Sequence, residues 1–181
     1  MKISPKTVKF GAREIALVAI MAATIECGKL VLSFLPNIEV VTLLCALYGY
    51  VFGIYGVIAA AVFVCIEPLI YGFGSWFITY LIFWPAVAFI FMLLGKKQMK
   101  NRLILALIAV GLSVIFGMLS SVIDTAFLFG INEFYFKNMI IYYLRGLSFD
   151  AVHILSNAVL FLTIYPFLTR KLGDIRKTYE I

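Results

Sequence analysis

The chain has 181 residues, 64% of them hydrophobic and 13% charged, with a net charge of +6 and a mean hydropathy of +1.08. A soluble domain is about 45–50% apolar, so this composition leaves too little polar surface to coat a water-soluble globule. The apolar runs are continuous rather than alternating in segments of about ten residues, which speaks against a membrane β-barrel and for an all-α integral membrane protein, one domain over residues 1–181.

Six spans are predicted. The first, about Glu14–Leu35, follows Lys2, Lys6, Lys9 and Arg13 and is closed by Pro36. It runs longer than a signal h-region and carries no small-x-small cleavage site, so it reads as a retained span. Ala12, Ala16, Ala19 and Ala23, spaced at four and three, share one face of that helix. Lipid tails are as apolar as leucine, so helices in a membrane associate by close backbone approach, which small residues permit. The alanine row therefore reads as a docking face for another membrane protein or as packing against a neighbouring span. Further along, Glu26 and Lys29 stand three apart, placed to neutralise each other.

Asn37 and Glu39 lie in "PNIE", ahead of a short second span, about Val40–Phe52. "YGYVFGIYG" joins it tightly to the third, about Tyr55–Ile70, with Glu67 near its far end. The glycine-rich "YGFGS" leads into the fourth, about Trp76–Leu94. Trp76, Tyr80 and Trp84 recur every four residues and share a face, with Tyr71 and Phe73 in the turn above. An interfacial aromatic belt accounts for Trp76. Tyr80 and Trp84 lie deeper and suit equally a stacking wall for a flat or bulky organic ligand, or packing.

Lys96, Lys97, Lys100 and Arg102 precede the fifth span, about Leu103–Phe129, which carries Asp124 near its end. "GINEFYFKN" reads as a loop and "MIIYYLRG" as a short interfacial helix. The sixth span, about Leu147–Leu168, bears Asp150, His153 and Asn157 as a stripe of donors and acceptors one turn apart, and Arg170, Lys171, Arg176 and Lys177 follow it.

Twelve of the fifteen Lys and Arg residues thus fall in three clusters on one side of a six-span topology. The positive-inside rule makes that side the cytoplasm and places both termini there. No Asp, Glu, Lys, Arg or His is then buried in the inner half of any span. A charge in the hydrocarbon core costs at least about 2.5–3.5 kcal/mol and is usually turned toward a cavity or a partner. Scattered structural pairs have no reason to favour one leaflet, whereas an outward-facing polar cavity concentrates them there. Internal pairing of Glu26 with Lys29 and snorkelling of the end charges are the alternatives. The substrate-binding candidates are Asn37, Glu39, Glu67, Tyr71, Trp76, Tyr80, Trp84, Asp124, Asp150, His153 and Asn157. "PNIE" and "YGFGS" are the candidate lids.

There is no phosphate loop, no H-E-x-x-H and no G-x-S-x-G. With one His, a multi-histidine metal centre is excluded. Cys27, Cys45 and Cys65 sit in apolar segments as small packing residues. An intramembrane enzyme built on Asp124, Asp150 and His153 lacks a recognisable nucleophile or metal set. A binding protein is the stronger expectation, with no catalytic residue, cofactor or nucleic-acid partner. A membrane assembly protein is the third possibility. A binder without an internal motor needs a partner to move it.

A small six-span chain with "ALVAIMAA" near its start resembles the substrate-binding S-component of an energy-coupling factor (ECF) vitamin transporter. The likeness extends over nearly the whole chain in length, span count and topology. Family members carry an A-x-x-x-A arrangement on the first helix that contacts the coupling subunit. Ala19 and Ala23 match it, with Ala16 and Ala22 beside them. The resemblance implies a prokaryotic plasma-membrane protein and three partners, a membrane coupling subunit and two cytoplasmic ATPases. It also implies high-affinity vitamin capture outside and toppling in the bilayer to release the vitamin inside. "LPNIEVVTLL" and "EPLIYGFGSWFITYLIFWP" are similar to a branch associated with cobalamin uptake. Riboflavin, pantothenate and folate remain open, and the acidic and aromatic residues of the thiamin branch are not matched. With a corrinoid ligand, His153 would hydrogen-bond the side chains of the ring or approach the cobalt.

Overall fold

The computed structural model describes residues 10–36 and 38–178. They form six α-helices: α1 (Ala12–Leu32), α2 (Val41–Phe52), α3 (Ile54–Tyr71), α4 (Ser75–Lys96), α5 (Arg102–Phe129) and α6 (Tyr135–Thr178). All except α2 are long and apolar enough to cross a membrane. The outside of the bundle is as apolar as its core, and the core also holds polar groups. Phe34, Leu69, Phe73, Ile131, Phe136 and many other large apolar side chains are exposed, whereas Glu67, Thr42, Thr125 and Asn157 are wholly buried.

Four helices surround α2, which packs on α1, α3, α4 and α6. Ten of its twelve residues are buried. Small residues allow this. A Cβ on Gly49 would fall 2.0 Å from the carbonyl oxygen of Ala88 on α4, so only glycine fits there. Gly53, with φ of 64°, turns α2 directly into α3. Twelve residues at ~1.5 Å each rise only about 18 Å, well short of a hydrocarbon core about 30 Å thick. The start of α2 is therefore recessed within the bundle, and space remains above it.

The longest element differs from expectation. "MIIYYLRG" is not a separate interfacial helix, and the end of "GINEFYFKN", from Tyr135 on, is not a loop. Both belong to α6, a single helix of 44 residues. It runs antiparallel to α5, its main partner. The Tyr135 hydroxyl donates to the Val122 carbonyl at 2.9 Å. A Cβ on Gly117 would meet the Asp150 carboxylate at 2.3 Å, so α5 and α6 approach closely at that level.

Both ends of the described chain reach the α2–α3 junction. The Phe10 ring meets Tyr55 edge to face at 5.8 Å, and Arg176 donates to the Val51 carbonyl at 2.6 Å. Lys2, Lys6 and Lys9 lie outside the described residues. Of the cysteines, Cys45 is buried, but Cys27 and Cys65 face outward from the bundle, against the expectation that all three are packed inside. Their helices are amphipathic only in the sense of bundle against lipid, and a small thiol is acceptable on either face.

Candidate functional site

A cavity of about 300 Å³ occupies the space over the recessed start of α2. The α1–α2 connection, through Leu35, Pro36, Ile38 and Glu39, forms its rim. Lys29, Tyr71, Tyr80, Trp84, Phe116 and His153 reach it from α1, α3, α4, α5 and α6. Of the residues expected to bind a substrate, Glu39, Tyr71, Tyr80, Trp84 and His153 are brought together here.

One wall is an aromatic ladder. Trp76 meets Tyr80 at 5.3 Å between ring centroids, and Tyr80 meets Trp84 at 5.5 Å. Trp84 stacks on Phe116 at 5.5 Å, and Phe116 lies 5.5 Å from the His153 ring. The first three rings follow from the four-residue spacing on α4. The last two come from other helices. Edge-to-face and offset-stacked rings hold one another in place, so the wall is preformed. The indole Nε1 of Trp84 is buried without a hydrogen-bond partner. Trp76 does not line the cavity and supports Tyr80 from the outside.

The floor is polar. Glu39 accepts from the Thr42 backbone N–H at 2.8 Å and from the Thr42 hydroxyl at 2.6 Å, which covers orphan donors at the start of α2. Asn157 Nδ2 donates to Glu39 at 3.2 Å and to Ser113 Oγ at 3.0 Å. His153 Nε2 stands 3.2 Å from Glu39 Oε1, without the alignment of a formed hydrogen bond. Burial alone would raise the Glu39 carboxyl. The imidazole of His153 and the donors of Thr42 outweigh it and hold the group below its ordinary value. Asn157 is wholly buried and acts beneath the cavity by positioning Glu39.

The opposite side carries the second charged group. Lys29 forms an ion pair with Glu67, and its ammonium lies over the Tyr71 ring at 4.2 Å and near Tyr80 at 5.4 Å. Glu26 neighbours Glu67 and is not the partner of Lys29. Glu67 lies behind the cavity wall, fully buried, with Oε1 unpartnered. A cation held against two tyrosine faces is a ready counter-charge for an anionic group on a ligand.

Asp150 lies against Gly117 of α5 and Asp124 is two turns beyond Phe116 on α5, and neither lines the cavity. Asn37 lies outside the described residues. Phe116, Leu32, Ser33 and Ile38 line the site and were not among the expected contacts. "PNIE" forms part of the rim, whereas of the "YGFGS" stretch only Tyr71 reaches it. Among the described residues, no three His, Cys, Asp or Glu side chains gather to hold a metal ion.

Away from the cavity, α1 presents two different faces. Ala16, Ala19 and Ala23 are exposed on the outside of the bundle, while Ala22, with Val18, Met21 and Ile25, is buried against the other helices. Ala22 is therefore an internal packing residue and not part of an outward strip. No family model, no curated protein and no solved structure matches this chain.

Proposed function

We propose that this chain is a membrane-embedded binding subunit of an ECF-type importer. It captures a vitamin-sized molecule in the cavity over α2 and delivers it inward with a membrane coupling subunit and two ATPases. The observation that carries this reading is the convergence of all six helices and the α1–α2 connection on one cavity that has an aromatic wall and charged groups on either side. Small-molecule sites are concave, largely apolar and fitted with a few placed polar groups. A purely structural role explains the buried pairs but gives no reason for a preformed, open hollow.

Orientation follows from charge. The cavity lies at the end of the bundle away from Lys96, Lys97, Lys100, Arg102, Arg170 and Lys171, and the positive-inside rule puts that basic end in the cytoplasm. The exposed strip of Ala16, Ala19 and Ala23 lies in the half of α1 nearer the basic end. Small side chains facing outward let a partner helix approach closely, and the strip is the proposed docking face for the coupling subunit.

The ligand class follows from size and lining. About 300 Å³ is the low end of small-molecule sites, roughly 300–1,000 Å³. A corrinoid, with its amide arms and nucleotide tail, exceeds that space, so cobalamin uptake requires residues 33–40 to swing outward. A compact, flat vitamin of the riboflavin or folate class matches the aromatic wall without that opening.

The test is capture of the tagged chain expressed together with its genomic neighbours. The expected result is co-purification of a membrane subunit and two ATPases. Ala19→Leu or Ala23→Leu abolishes that capture and leaves ligand binding by the isolated chain intact. Absence of any ATPase pair, or unchanged capture by both variants, overturns the proposal.

A further inference from the structure

The opposite end of the bundle holds a second hollow with a different chemistry. Two adjoining lobes, of about 480 and 530 Å³, share Tyr50, Lys100, Thr169, Gly173 and Lys177. They lie between the ends of α2 and α4, the α4–α5 connection and the last turns of α6. Five basic side chains line them (Lys100, Arg102, Arg170, Arg176 and Lys177) against a single acid, Asp174. Arg176 is engaged with the end of α2 through the Val51 carbonyl. Lys100, Arg102, Arg170 and Lys177 form no ion pair among the described residues.

Cationic side chains facing one hollow repel one another, and an anion inside it relieves that repulsion. The floor adds a second, independent feature. Tyr165 is 1% exposed, lines the larger lobe, and its hydroxyl faces that of Thr169 without the alignment of a formed hydrogen bond. The Thr169 hydroxyl beside it is also unpartnered. Leaving a buried polar group unsatisfied is unfavourable, and a phosphate oxygen would satisfy such donors. Leu105, Met99 and Pro166 give the same lobe an apolar side.

We propose that this hollow is a binding site for the phosphate headgroup of an anionic phospholipid of the leaflet at the basic end. Free phosphate shares the anionic chemistry, but it has no use for an apolar flank or for a site at the level where the spans leave the hydrocarbon. A diacyl phosphate ester uses both: the basic rim takes the headgroup, and Leu105 and Pro166 meet the start of the chains. Basic pockets at the cytoplasmic ends of transmembrane helices attract anionic lipid in this way. The site stands independently of the cavity over α2, which it does not touch.

The experiment uses the full-length chain in detergent, exposed to equal amounts of phosphatidylglycerol and phosphatidylcholine and read by native mass spectrometry. Preferential retention of phosphatidylglycerol is expected. Arg102→Gln combined with Lys177→Gln lowers it by about tenfold or more, while Lys137→Gln, at the far end of the bundle, leaves it unchanged. Melting curves of the variants show that each is folded. A parallel arm offers inorganic phosphate. Equal retention of the two lipids, equal loss in Lys137→Gln, or phosphate binding as tight as the lipid overturns the assignment. So does loss of captured protein partners in the double variant with lipid retention intact, which would give the basic rim to an acidic protein surface.

Discussion

Lys29 pairs with Glu67 on α3 and not with Glu26, three residues before it on its own helix. The pair therefore crosses the bundle and ties α1 to α3 at the edge of the cavity, where the ammonium also lies over Tyr71. Glu67 is fully buried, and the Lys29 ammonium is its ion-pair partner.

Removing the cation alone leaves Glu67 buried without its ion-pair partner, and breaking one partner of a buried pair costs about 3–5 kcal/mol. Lys29→Met is expected to lower the unfolding temperature in detergent markedly. Lys29→Met combined with Glu67→Met is expected to recover most of the loss, because neither member of the pair is then left without the other. If Lys29→Met melts like the parent chain, the pair does not hold the helices together.

Glu39 gives a pH signature. It lies in the connection before α2, and its carboxyl is held below the ordinary value of 4.5. A depressed folded value means that the unfolded chain binds more protons in the acid range. The stabilisation is complete above 4.5 and is lost as pH falls through the folded value. Melting temperatures taken from neutral to acid pH are expected to fall more steeply for the parent chain than for Glu39→Gln. Parallel curves would remove the contacts with His153 and Thr42 as the cause.

The six helices were legible because apolar runs of about twenty residues have few alternatives in a membrane. The continuity of α6 was not. Tyr135, Phe136, Lys137 and Asn138 read as loop and Gly146 as the end of a short helix, and glycine inside a helix costs about 1 kcal/mol relative to alanine. The long antiparallel contact with α5 offsets that cost, and such a contact is invisible in one sequence. Within the site, Trp76, Tyr80 and Trp84 declared a shared face by their spacing. Phe116 gave no signal, because it enters from another helix as one apolar residue in an apolar run. Asp150 and Asp124 looked equivalent to His153 by depth, yet depth does not specify the direction around a helix. Asp150 turns to Gly117 while His153, three residues on, turns to the cavity.

Sidedness is directly measurable. In a background with Cys27, Cys45 and Cys65 replaced, a single cysteine at Lys97 is expected to react with an impermeant thiol reagent only in inverted vesicles. One at Asn132 is expected to react in intact cells. The reverse pattern would point the cavity over α2 into the cytoplasm and remove the capture role.

The cavity bounded by Lys29, Glu39, Tyr80, Trp84 and His153 is expected to hold a small organic molecule. Purification of the chain from cells grown in rich medium, followed by denaturation and mass spectrometry of the released material, tests it. One vitamin-class compound is expected, released in near-stoichiometric amount from the parent chain and strongly depleted from a folded Tyr80→Ala variant. Release of nothing, or of the same compound equally from both chains, would contradict it.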